Sequence, residues 1–114
     1  MKRDPRLYLD DIWDSILAIE EYAAGATREQ FEADGKLQDA ILRRLEVIGE
    51  AVKQLPGEFR DRWPDMPWKQ VAGLRDVLIH EYFGVKLMRV WHVVQEDLPL
   101  LKRCIGLARQ AAEP

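Results

Sequence analysis

Four side chains that can do acid–base or phosphate chemistry fall within one short segment of this 114-residue chain. Residues 75–84 read RDVLIHEYFG and include Arg75, Asp76, His80 and Tyr82. Histidine transfers protons near neutral pH, and arginine binds phosphate oxygens in a two-pronged fashion while staying charged. Such a pair suits cleavage of an RNA phosphodiester by its own 2′-hydroxyl. That reaction needs a base, an acid and a cation for the charge that develops on phosphorus.

The spacing of these residues places them on different faces of a predicted helix. His80 lies about 180° from Val71, on the side that also carries Gly73 and Asp76. Asp76 and His80 are four residues apart, so the carboxylate can accept an imidazole N–H and raise the proton affinity of the ring. The opposite, apolar face is predicted to pack on the core, and it consists of Val71, Leu74, Leu78 and Tyr82.

One copy of this helix does not make a complete site. Arg75 and His80 are separated by about 140° on an ideal helix, and one histidine supplies only one proton-transfer group. A two-fold dimer with this helix at its interface would supply two of each residue. Gly73, which we take as a candidate interface residue, would permit the close approach that such a dimer requires.

A metal enzyme is disfavoured by the positions of the histidines. Gly84 stands where a zinc-protease motif would place its second histidine. His92 is the only other histidine, and no Glu-x-x-His pair is present for a di-iron bundle. We therefore assign no metal ligands and no cofactor.

Helix signals dominate the whole chain, and strand signals are nearly absent. Caps, apolar stripes and breakers predict four main helices, with a short extra helical turn around Phe31 that is capped by Thr27 and Gln30. The main helices are predicted from Pro5 to Gly25, Leu37 to Leu55, Pro67 to Phe83 and Lys86 onward, the last with a kink or break at Pro99. A loop is expected after Leu55. The predicted fold is an all-α antiparallel bundle.

Composition and length indicate an ordinary globular domain. The chain is 47% hydrophobic and 32% charged, which fits a single domain over residues 1–114. The net charge of −3 does not predict strong nonspecific binding to nucleic acid. A lone cysteine, Cys104, favours a reducing compartment and reads as a small buried hydrophobe. Because no signal peptide or membrane-length apolar run is present, we expect a cytoplasmic protein with no membrane partner.

The motif segment resembles a known protein family. GLRDVLIHEYFGV at 73–85 is similar to the R-x4-H-x-Y signature of HepT-like proteins of the HEPN superfamily. The resemblance extends to YLDDIWDSI near the start, RRLEVIGEAVKQL at 43–55 and PDMPWKQVAGLRD at 64–76. It covers roughly residues 6–103, and this combination of motifs is specific.

The resemblance implies a homodimeric helical bundle whose motif helices meet across a cleft. Active members are metal-independent endoribonucleases that serve as toxins in toxin–antitoxin pairs. By this likeness Arg75 would stabilise phosphate, His80 would be catalytic and Asp76 would support the site. Tyr82 would be the acceptor of AMP from the cognate MNT-type nucleotidyltransferase antitoxin, which silences the toxin.

A second function from another class is left open by the sequence. The same cleft could serve a non-catalytic module that binds a nucleotide or the partner nucleotidyltransferase. The acidic net charge favours this alternative, because RNA would have to approach a negatively charged molecule. The intact set of Arg75, His80 and Tyr82 favours the ribonuclease.

Overall fold

The computed structural model describes residues 4–73 and 87–112, and within these residues the regular secondary structure is entirely helical. The elements in chain order are α1 (Pro5–Ala23), α2 (Arg28–Ala33), α3 (Gly35–Gln54), α4 (Gly57–Asp61), α5 (68–73), α6 (Leu87–His92), a π-helical turn (Val93–Asp97) and α7 (Leu98–Ala112). The all-α prediction is therefore confirmed.

The first helices begin where short polar side chains satisfy free backbone N–H groups. The carboxylate of Asp4 accepts from the backbone N–H of Arg6 at 2.9 Å, and Pro5 follows at the first helical position. Thr27 and Gln30 form a reciprocal capping box at α2, as the sequence predicted. Asp34 caps α3 through the N–H of Leu37. These local bonds set the helix boundaries independently of the rest of the fold.

The core is formed mainly by α1, α3 and α7, each of which buries one stripe of aliphatic side chains. Ile12, Ile41 and Ile105, one from each helix, have no exposed surface. The helices bury the following residues in addition: Leu9, Ile16, Ile19, Leu45, Ile48, Val52, Leu98, Leu101 and Ala108. The predicted stripes of the first, second and last helices thus face the core.

Two ion pairs show that α1 and α7 run antiparallel. Lys102 Nζ lies 2.8 Å from Glu20 Oε1, and Arg109 Nε lies 3.0 Å from Asp10 Oδ1. The earlier residue of α1 is paired with the later residue of α7, and the later residue of α1 with the earlier residue of α7. The ring of Trp13 lies between these pairs, with the Arg109 guanidinium 5.0 Å from its centroid. The pairs are partly exposed and therefore contribute little to stability, but they fix the direction of packing.

The short helix α2 holds α6 against the bundle. Phe31 is fully buried, and its ring centroid lies 5.3 Å from that of Trp91. The side-chain amide of Gln38 donates to the carbonyl oxygens of Phe31 and Glu32 at 2.9 and 3.0 Å. The end of α2 is thereby tied to α3.

Two local predictions need correction. Residues 57–61, predicted as part of a loop, form α4, whose start has no side-chain cap. Of the kink or break predicted at Pro99, the break is wrong: the last helix continues from 87 to 112, with a π-helical turn at Val93–Asp97. Proline lacks an N–H and clashes with the carbonyl four residues earlier, here that of Gln95, and the wider π turn surrounds that carbonyl.

None of the helices in residues 4–73 and 87–112 combines the length and apolar character needed to span a membrane. The homodimer predicted from the sequence stays a prediction, as does the extent of the single domain.

Candidate functional site

The four motif residues lie outside the described part of the chain. Arg75, Asp76, His80 and Tyr82 fall within residues 74–86, so their predicted roles and mutual geometry stay predictions. The same holds for most of the predicted third helix, of which only 68–73 is described. Gly73 is the last described residue before the motif. The description resumes at Leu87, which is the first residue of α6.

The chain enters the motif segment from a firmly held helix. Trp68, at the start of α5, is 9% exposed, and its indole Nε1–H donates to the carbonyl oxygens of Arg60 and Trp63, both at 3.0 Å. Its ring packs edge-on against Phe59, with centroids 5.9 Å apart. Val71, one turn later, is also buried. These contacts fix α5 against α4 and the loop that joins them.

The chain leaves the motif segment through a second anchored element. Val90 of α6 is 4% exposed, and Trp91 contacts the buried ring of Phe31. His92 is exposed on the same helix. The residues on either side of the motif are therefore attached to the core from both directions.

A groove opens beside α5 on the side that leads to the motif. Its cavity measures about 590 Å³ and lies between the end of α3, the whole of α4 and α5. Its lining residues are Lys53, Gly57, Arg60, Asp61, Trp68, Lys69, Ala72 and Gly73. Gly73 lies only two positions before Arg75 in the sequence. The groove is therefore close in sequence to the predicted site.

The charged lining of this groove is mostly basic. Lys53, Arg60 and Lys69 face one acidic residue, Asp61. The whole chain has the opposite balance, with 17 basic and 20 acidic residues. A local surplus of cations in a concave surface focuses positive potential and attracts anions. The groove is thus an anion-attracting surface on a protein of negative net charge.

Sequence patterns do not identify these three bases. Lys53 lies near the end of a long helix, and Arg60 and Lys69 lie on two later elements. Their grouping depends on how α4 and α5 fold back against the end of α3, which no local spacing encodes. The remaining signal in the sequence was the cluster of aromatic residues at 59–68, which indicates a packed turn and not a mobile loop.

Gly73 has open space on its outer side. A Cβ atom built at Gly73 would meet no described atom within 4 Å. This open space is compatible with the predicted role of Gly73 at a dimer interface, where a second chain would approach closely. In residues 4–73 and 87–112, no three His, Cys, Asp or Glu side chains are grouped as metal ligands.

Comparisons with a family model and with individual known proteins indicate the same family. A family model described as ribonuclease HepT-like matches residues 12–107. A protein of Thermococcus cleftensis, named a probable ribonuclease HepT, is 46% identical over 102 residues, which are 90% of this chain and 93% of that protein. A candidate RNase of Caldanaerobacter subterraneus subsp. tengcongensis is 44% identical over 101 residues, which are 89% of this chain and 90% of that protein.

A longer relative contains this chain's counterpart as one part. A Methanocaldococcus jannaschii protein, whose name joins a gamma-glutamylcyclotransferase to a candidate RNase, is 49% identical over 102 residues. The match covers 90% of this chain but 46% of that relative. No solved structure matches this chain.

Proposed function

The chain belongs to the ribonuclease HepT-like family, and from this premise we propose that it is an endoribonuclease that uses Arg75 and His80. The observation that carries the proposal is the family match over residues 12–107, which includes the whole R-x4-H-x-Y motif. The relatives named for ribonuclease activity support it, because they match along nearly all of their own length.

The proposed reaction uses the 2′-hydroxyl of the RNA as the nucleophile and needs no metal ion. In a homodimer, one His80 removes the 2′-hydroxyl proton as the oxygen attacks the adjacent phosphorus. The partner's His80 gives a proton to the departing 5′-oxygen. The new bond to the 2′-oxygen replaces the broken bond to the 5′-oxygen and leaves a cyclic phosphate. Arg75 stabilises the charge on the phosphate oxygens, and Asp76 orients His80.

We further propose that the protein is a toxin silenced by a nucleotidyltransferase of the MNT type. In that step the phenolic oxygen of Tyr82 attacks the α-phosphorus of ATP. The bond between the α- and β-phosphates breaks, pyrophosphate leaves and the phenol loses its proton. The adenylate is bulky and anionic, so it would exclude RNA from a neighbouring site by size and by charge.

The experiment that tests the ribonuclease proposal compares the two histidines of the chain. His80→Ala should abolish growth arrest in cells and lower RNA cleavage by about 10²–10⁴-fold, because a proton-transfer group is lost. His92→Ala is the matched control, since His92 is exposed on α6, and it should leave both activities intact. Growth is followed after induction, and cleavage of labelled RNA is measured with and without EDTA.

Equal activity of His80→Ala and wild type would contradict catalysis by His80, and loss of activity in EDTA would contradict metal independence. If the wild-type chain cleaves no RNA, the non-catalytic binding module becomes the better reading. The net charge of −3 is the observation that favours that module.

A further inference from the structure

The groove between α3, α4 and α5 has the features of a binding surface for a flexible polyanion. Lys53, Arg60 and Lys69 come from three different elements and together line one concave surface. A chain of phosphates can offer a separate anionic group to each of these three cations. The volume of about 590 Å³ falls within the range of sites that hold small organic ligands, which suits a nucleotide unit in size.

The groove has charged side chains, but few groups that could stack on a nucleobase or donate a hydrogen bond to it. Trp68 is 9% exposed, and its Nε1–H is already bonded to two carbonyl oxygens. The ring therefore presents neither a stacking face nor a free donor to a nucleobase. Gly57 and Gly73 have no described atom within 4 Å of a built Cβ, so the surface is bare at two points where a backbone could approach closely. These features favour contact with sugar and phosphate.

We propose that this groove binds the phosphate backbone of single-stranded RNA on one side of the bond that is cut. The proposal rests on the proposed ribonuclease function, and it adds a substrate-holding surface made of Lys53, Arg60 and Lys69. Gly73 joins the groove to the motif, because Arg75 follows two residues later. Recognition through phosphates makes this contact independent of sequence, and its strength depends on salt.

The test removes two of the three charges. Arg60→Gln combined with Lys69→Gln is compared with Arg28→Gln combined with Lys36→Gln, which changes the net charge by the same amount. Arg28 lies on α2, and Lys36 lies at the start of α3, about 26 Å along that helix from Lys53. Lys53 is left in place because it also makes a contact within the protein.

Binding is measured in a His80→Ala background with single-stranded RNA of roughly 12 nucleotides. The groove variant should bind about tenfold more weakly near 0.1 M salt. Its slope of log affinity against log salt should fall by roughly 1.4, because each contact to a single strand contributes roughly 0.7. The control variant should match the parent.

A second variant guards against misfolding of the first. Gly57→Glu adds a negative side chain in open space, at a first-turn helix position where an acid is favourable. It should weaken RNA binding with the elution volume on a sizing column unchanged. Normal RNA affinity in both groove variants would overturn the proposal, and loss of nucleotidyltransferase binding alone would indicate a protein ligand instead.

The groove and the catalytic proposal can fail separately. In an otherwise wild-type chain, groove variants that cleave long RNA as fast as the control leave the ribonuclease standing and remove the groove. A wild-type chain that binds RNA through the groove but cuts none leaves the groove standing and removes the ribonuclease. A ribodinucleotide, which has one phosphodiester and no further backbone phosphate to occupy the groove, should be cleaved equally by wild type and by the groove variant.

Discussion

At the scale of the residue, the thiol of Cys104 shows how the core controls chemistry that the sequence alone would permit. Cys104 lies on the buried face of α7 and is 4% exposed. Burial raises the pKa of its thiol to about 11, because the charged thiolate is poorly solvated among apolar neighbours. The thiol is therefore neutral and inert near neutral pH, as predicted for a small buried hydrophobe.

The raised pKa of Cys104 makes stability depend on pH in the alkaline range. In the unfolded chain a cysteine titrates near 8.5, so its stabilising contribution is complete below about pH 8.5 and is lost as the pH rises through about 11. Cys104→Val removes this loss. Between neutral pH and about pH 11, wild type should lose about 2–3 kcal/mol more free energy of unfolding than the variant.

Urea unfolding of both proteins across that range measures the difference. The two proteins differ only at residue 104, so pH effects that arise elsewhere in the chain cancel in the comparison. Parallel losses in wild type and Cys104→Val would show that the thiol does not contribute.

At the scale of the element, the indole of Trp68 anchors the helix that precedes the predicted catalytic motif in the sequence. Its Nε1–H is shared between the carbonyl oxygens of Arg60 and Trp63. Arg60 lies in the short helix α4, and Trp63 lies two residues after its end. The helix α4 has no side-chain cap of its own. The aromatic contact to Phe59 and this shared hydrogen bond therefore hold α4 and α5 together.

Replacing Trp68 by Phe keeps a ring but removes the donor. Two carbonyl oxygens then lose a partner, and we expect the free energy of unfolding to fall by about 1–3 kcal/mol. Trp63→Phe is the matched control, since the Trp63 indole makes no hydrogen bond to a residue in 4–73 or 87–112; it should cost about 1 kcal/mol or less. Chemical denaturation of wild type and both variants measures these free energies of unfolding. Equal losses in Trp68→Phe and Trp63→Phe would refute the role of the shared hydrogen bond.

Elements with local signals could be predicted, and those that depend on distant contacts could not. Asp4 and the Thr27–Gln30 pair define helix starts through bonds within three residues, so the sequence sufficed. In contrast, α4 has no cap of its own and depends on Trp68, which lies beyond the end of that helix. The π turn depends on how the chain accommodates Pro99 while the residues on both sides stay in the core. The groove required three elements to meet, so it could only be seen in the fold.

At the scale of the whole molecule, the charge of the groove is opposite in sign to the net charge of the chain. The chain carries a net charge of −3, yet the groove that includes Gly73 has three bases and one acid in its lining. The sequence-based objection that RNA would be repelled therefore does not extend to this surface. The screening length at physiological salt is about 8 Å, so local charges outweigh the distant net charge.

The proposed antitoxin mechanism acts on the assembled protein and can be tested at Tyr82. When wild type is incubated with its nucleotidyltransferase and ATP, it should gain the mass of one adenylate per chain and lose RNA cleavage. Tyr82→Phe lacks the acceptor oxygen, so it should gain no mass and stay active. Tyr22→Phe is the control, since Tyr22 is an exposed tyrosine on α1 and its loss should change nothing. Intact-mass spectrometry and RNA cleavage are the readouts, and an adenylate on Tyr82→Phe would exclude Tyr82 as the acceptor.

The two bare positions in the groove, Gly57 and Gly73, also bear on how such a protein can diverge. A Cβ atom at either position would meet no described atom within 4 Å, so the packing of one chain does not require glycine there. Under the proposed role of the groove, selection would favour small residues at both positions in copies that bind RNA. Copies that do not bind RNA would lack that constraint at Gly57, whereas Gly73 would stay small wherever it serves the predicted dimer interface.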